Sequence, residues 1–86
     1  MPTVRPEALD ALYVDDLELV LCDISHIDPP PRSLTLAGQE YVFSRSYPVK
    51  GYSAVLGKAA REMMGEGKTL LVGRWGTRYY VYTAPA

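Results

Sequence analysis

Cys22 and His26 stand four residues apart with Asp23 and Asp28 beside them. These residue types could build a thiol nucleophile with its base, or a metal site. A nucleophile must lie within hydrogen-bond reach of its base, and one four-residue gap across a strand end does not ensure that. A closed zinc site needs four ligands, and this chain has one cysteine and one histidine in total. Asp15, Asp16 and Glu18 offer carboxylate oxygens of the kind divalent cations take. Their spacing lacks the glycine and the terminal bidentate glutamate of a calcium loop. Gly65-Glu66-Gly67-Lys68-Thr69 looks like the end of a phosphate-binding loop, but Glu62 stands where the first glycine is required. The order is also reversed, since that loop must open a helix and this one follows a predicted helix. The expectation is a non-enzymatic protein with no catalytic residue, no metal and no cofactor.

A second group of residues suits contact rather than catalysis. Arg45, Lys50, Lys58, Arg61, Arg74 and Arg78 interleave with Tyr79 and its neighbours. Cations beside aromatic rings can hold phosphates while bases stack, which is the chemistry of a single-stranded nucleic-acid binder. Arginine, tyrosine and tryptophan also anchor protein–protein interfaces. In that reading Trp75, Tyr80 and Tyr82 are the anchors, and Arg74 and Arg78 meet carboxylates at the rim. The leading expectation is a small binding or regulatory module working through protein–protein contact, with a homodimer as one form. The nucleic-acid reading is the alternative.

Composition sets the outer limits. Eighty-six residues, 48% of them hydrophobic, make a single domain over 1–86 with too much apolar content for disorder. One cysteine precludes an internal disulfide and fits a reducing compartment. The start carries no basic-then-apolar leader, and no apolar run nears the roughly 18 residues a membrane span needs. A cytoplasmic protein without membrane contact is therefore expected. The formal net charge of −1 is unevenly distributed. Residues 1–43 carry two arginines against eight carboxylates, a net −6; residues 44–86 carry seven cations against two carboxylates, a net +5. Such a split points either to a polyanionic partner or to halves that pair with each other.

The elements that must position these residues follow from periodicity. Val55, Leu56, Ala59, Ala60, Met63 and Met64 recur at helical spacing behind Ser53, a good N-cap, and ahead of Gly65 and Gly67. They predict a helix over 53–65. Thr69–Trp75 and Arg78–Thr83, separated by Gly76-Thr77, predict a hairpin with a two-residue turn. One face of it should pack on the helix, and the other should show tyrosines and arginines.

Toward the N-terminus, Pro6 followed by Ala8, Leu9, Leu12 and Tyr13 predicts a short helix over 6–13, broken by Asp15-Asp16. Residues 18–24 read as a strand. Pro29-Pro30-Pro31 makes a stiff connector, of a type that aromatic grooves also recognise. Residues 33–36 and 40–45 alternate as a second hairpin, with Leu34, Leu36, Tyr41 and Phe43 as its buried set, and 47–51 form a loop. The expected fold is α+β: an antiparallel sheet of about five strands, the 53–65 helix on one face, and a short N-terminal helix.

Overall fold

The computed structural model describes residues 2–85, apart from the side chain of Ser53. Among the described residues, seven strands and one α-helix follow one another as β1 (Thr3–Val4), β2 (Asp10–Val14), β3 (Leu17–Asp23), β4 (Ser33–Leu36), β5 (Gln39–Pro48), α1 (Ser53–Gly65), β6 (Lys68–Trp75) and β7 (Arg78–Pro85). All seven strands join one sheet in the order β1-β4-β5-β7-β6-β3-β2. The pairs β1/β4 and β3/β6 are parallel, and the rest are antiparallel. The sheet is thus mixed and curled into a half-barrel, which corrects the expected five-stranded antiparallel sheet.

The expected N-terminal helix over 6–13 does not form. Pro6–Ala8 forms a single 3-10 turn, and the chain then runs as strand β2. Within β2, Leu12 and Val14 are buried while Ala11 and Tyr13 are exposed, so the operative period is two. Asp15-Asp16 is a two-residue hairpin turn rather than a helix breaker: Val14 pairs with Leu17, and Asp15 takes φ +55°. Aspartate tolerates that left-handed conformation better than most residues.

The C-terminal elements form as the periodicity requires. Helix α1 spans the expected residues, although Tyr52 rather than Ser53 occupies the capping position, its carbonyl accepting from Leu56 N–H at 2.8 Å. Past the helix, Gly67 takes φ +83° and its N–H reaches the Met64 carbonyl at 3.0 Å, a left-handed stop that glycine adopts at little cost. Strands β6 and β7 pair from Trp75–Arg78 to Lys68–Pro85 around the Gly76-Thr77 turn. β5 is longer than expected and takes in Tyr47 and Pro48, which read as loop in the sequence.

Because side chains alternate across a sheet, neighbouring residues feed two separate interiors. Leu70, Val72, Tyr79 and Val81 join Leu12, Val14 and Leu19 beneath Leu56, Ala59, Ala60 and Met63 of α1. Leu71 and Tyr82 point the other way, into a second interior with Val4, Cys22, Ile24 and Leu34. Two glycines permit the closest approaches. A Cβ at Gly57 of α1 would meet Val14 and the Asp15 carboxylate, each at 3.2 Å. A Cβ at Gly73 would lie 2.8 Å from Ile24 Cδ1, inside van der Waals contact.

Candidate functional site

The connector of residues 24–32 lies across the sheet face opposite α1, and polar contacts hold it at both ends. At the start, the Arg74 carbonyl accepts from Ile24 N–H (2.9 Å) and Ser25 Oγ (3.3 Å), and Ser25 Oγ accepts from Gly76 N–H (3.1 Å). Further along, the indole N–H of Trp75 donates to the Ile27 carbonyl at 2.6 Å. The phenol of Tyr82 donates to the Pro31 carbonyl, also at 2.6 Å. The proline run therefore does meet an aromatic surface, and that surface belongs to its own chain.

Two of the five residues expected to bind a partner are thereby committed internally. Tyr82 is fully buried, and Trp75 is half-buried under the connector with its one polar atom bonded. Tyr80 stays half-exposed, and it lies in a run of rings across the sheet. Trp75 and Tyr80 have centroids 6.4 Å apart, and Tyr80 and Phe43 lie 5.5 Å apart. Phe43 was expected inside; instead it is 39% exposed, because β4 and the connector leave that part of β5 uncovered. Leu34 is fully buried as expected, while Leu36 and Tyr41 are half-buried.

Between the connector and β5 runs a shallow groove of about 540 Å³ lined by Pro30, Pro31, Arg32, Val42, Phe43 and Tyr80. Among the described residues, the charged one in its lining is Arg32. Arg78 shares a face with Tyr80 on β7, and its guanidinium donates to Ser46 Oγ through Nη2 at 3.1 Å and Nε at 3.3 Å. An apolar floor with Arg32 in its wall, and Arg78 beyond Tyr80 on the same face, can take an extended chain that carries carboxylates.

No family model, curated protein or solved structure matches the chain. Geometry and chemistry alone carry the functional reading.

The cations proposed for nucleic acid do not gather. Arg61 reaches Asp16, with Asp15 at 3.9 Å, and so ties α1 to the β2–β3 turn. Arg45 and Lys58 line one groove between β5 and α1, whereas Lys50 and Arg74 line another beside the β6–β7 turn. Arg78 faces the far side of the sheet, and Tyr79 is buried against Tyr52, ring centroids 4.8 Å apart. A single strand tracking along the surface would find no continuous row of cations and open rings.

Cys22 and His26 both line a cavity of about 180 Å³ between β1 and β3. The thiol there is only 2% exposed, and burial, helped by the Asp23 charge, pushes its pKa up to about 11. A thiol held protonated at neutral pH is a poor nucleophile. The Asp23 carboxyl is held below its usual range by hydrogen bonds from Ser25. Among the described residues no cluster of three or more potential metal ligands occurs, and no helix is long and apolar enough to cross a membrane.

The aromatic groove itself had one legible signal. The alternation of Tyr41, Val42, Phe43 and Ser44 identified a strand, but nothing in it says which of the two faces lacks cover.

Proposed function

We propose that this chain is a non-enzymatic protein-contact module, and that its contact surface is the groove formed by Phe43, Tyr80, Pro30 and Pro31 with Arg32 in its wall and Arg78 beyond Tyr80. The occupant is an extended segment of another protein that carries both carboxylates and large apolar side chains. The observation that carries this reading is the exposure of Phe43 and Val42 in a strand near the middle of the sheet, beside Arg32 and, among the described residues, with no carboxylate in the lining. Exposed apolar surface at such a position favours a partner. Arg74 and Trp75 contribute indirectly, by fixing the connector that forms the opposite wall.

The test uses labelled decapeptides that alternate glutamate with phenylalanine, against controls in which lysine replaces glutamate. Fluorescence anisotropy should detect binding of the acidic series, and Tyr80→Ser or Arg78→Glu should weaken it at least tenfold. Equal binding of the acidic and basic peptides, or indifference to both substitutions, would remove the groove from consideration.

A further inference from the structure

Strand β4 covers only the first part of β5. Their pairing ends at Ser33–Val42, and the Arg32 carbonyl takes the N–H of Phe43 at 2.8 Å before the connector turns away across the sheet. Among the described residues no strand lies beside Ser44–Pro48 on the side away from β7. Ladder parity identifies the polar groups left over. Val49 N–H donates to the Thr77 carbonyl at 2.9 Å, and bonded pairs in an antiparallel ladder recur every second residue. Tyr47–Tyr79 and Arg45–Val81 are then the bonded pairs, and Ser46 turns its backbone N–H and C=O outward. An unpaired edge of this kind is a template for another strand.

The helix-side flank of this edge carries charges of both signs beside apolar surface. Arg45 and Tyr47 of β5, with Val55, Lys58, Ala59 and Glu62 of α1, line a groove of about 200 Å³. Val55 is 56% exposed, and among the described residues neither Lys58 nor Glu62 is in an ion pair. We infer that a second copy of this chain docks here, β5 against β5 antiparallel, about a two-fold axis through Ser46. In that register Ser46 of each copy exchanges two backbone hydrogen bonds with Ser46 of the other. Arg45 of one copy lies opposite Tyr47 of the other, a cation facing a ring on both sides of the axis. Glu62 of each copy then faces the cations of the other groove, and the exposed Val55 side chains move out of water. Pro48 has no N–H and limits the shared ladder to a few residues. A basic edge could also attract an acidic peptide, but Glu62 and the Arg45/Tyr47 alternation favour a copy of the same surface. An isologous contact closes on itself and leaves no open-ended polymer.

Sedimentation velocity of the full chain over a concentration series tests this. The wild type should show a reversible dimer. Val55→Asp, at an exposed position, and Ser46→Pro, which removes the outward N–H, should each weaken it at least tenfold with the far-ultraviolet spectrum preserved. Glu62→Lys should weaken it as well, and adding Lys58→Glu should restore it. A chain that stays monomeric up to millimolar concentration overturns the inference. So does a dimer that survives both Val55→Asp and Ser46→Pro. A dimer abolished by Tyr80→Ser but untouched by Val55→Asp also overturns it, because the contact would then lie on the opposite face. Peptide binding at the groove is read separately, so either proposal can fail without the other.

Discussion

The indole N–H of Trp75 donates to the carbonyl of Ile27 at 2.6 Å, tying together residues 48 positions apart. Tyr82 does the same for Pro31 across 51 positions. These two bonds anchor a connector in which proline nitrogens can donate none, and they set the wall of the aromatic groove.

Removing either anchor should loosen the wall without unfolding the sheet. Tyr82→Phe keeps the ring and leaves the Pro31 carbonyl without its donor, at a cost of about 1 kcal/mol. Trp75→Phe should cost somewhat more, because indole packing is lost as well. Urea unfolding followed by circular dichroism measures both. Limited proteolysis should show faster cleavage within 25–32 for each variant, and unchanged cleavage would mean that the connector is held by other contacts.

Gly73→Ala should be among the more damaging single-methyl additions in the chain. Its Cβ would press on Ile24 Cδ1 in a packed interior, and overpacking of this kind costs about 1–3 kcal/mol. Ile24→Val removes the offending methyl at roughly 0.5–1.5 kcal/mol on its own. The double variant should therefore be more stable than the sum of the single effects predicts. Simple additivity in a denaturant-based mutant cycle would rule out the steric account.

The Arg61 link to Asp15 and Asp16 joins exposed groups, so its contribution is small. Arg61→Ala should lower stability by less than about 1 kcal/mol, and the difference should shrink further in 1 M salt. A larger loss that persists in salt would show that the arginine stem, rather than its charge, covers the β2–β3 turn.

Alkaline pH should destabilise the fold through two buried acids. Burial raises the Cys22 thiol from an ordinary 9.0 to about 11, and the Tyr82 phenol from 10.0 to about 12. Between each pair of values the unfolded chain has released a proton that the folded chain retains. It therefore binds fewer protons, and the unfolding free energy falls as pH rises. Stability should decline above about pH 9 through both windows, with Tyr82→Phe shallower in the upper one. Thiol labelling should be slow in the folded protein and fast in urea.

The sequence shows the C-terminal half of this fold more clearly than the N-terminal half, for physical reasons. Helix α1 and the β6–β7 hairpin are built on local periodicity, with glycines at their boundaries, and both formed where that pattern put them. Residues 6–14 present Ala8, Leu9, Leu12 and Tyr13 at spacings a helix could use, and only pairing with β3 selects the two-residue period. The parallel pairs β1/β4 and β3/β6 join distant segments with no local mark. Much of the proposed contact surface is similarly hidden. Residue type identified Trp75, Tyr80 and Tyr82 as anchors, but not that the chain's own prolines would take up two of them. Phe43 lies open although its strand pattern suits an interior position, because alternation gives a strand two faces without saying which is covered.

Leu71 and Val72 are adjacent in the chain yet enter different interiors, and the two interiors differ in how many separate segments they gather. The helix-side layer draws mainly on the β2–β3 hairpin and on the run from α1 through β7. The layer on the other face must bring Val4, Ile24 and Leu34 to Leu71 and Tyr82 from separate segments, so several loops rather than one close before its contacts repay the lost entropy. Refolding should therefore complete the helix-side layer first, and the environment of the lone tryptophan should settle last. A slow change in Trp75 fluorescence, after helical circular dichroism has already recovered, is the kinetic signature of that order.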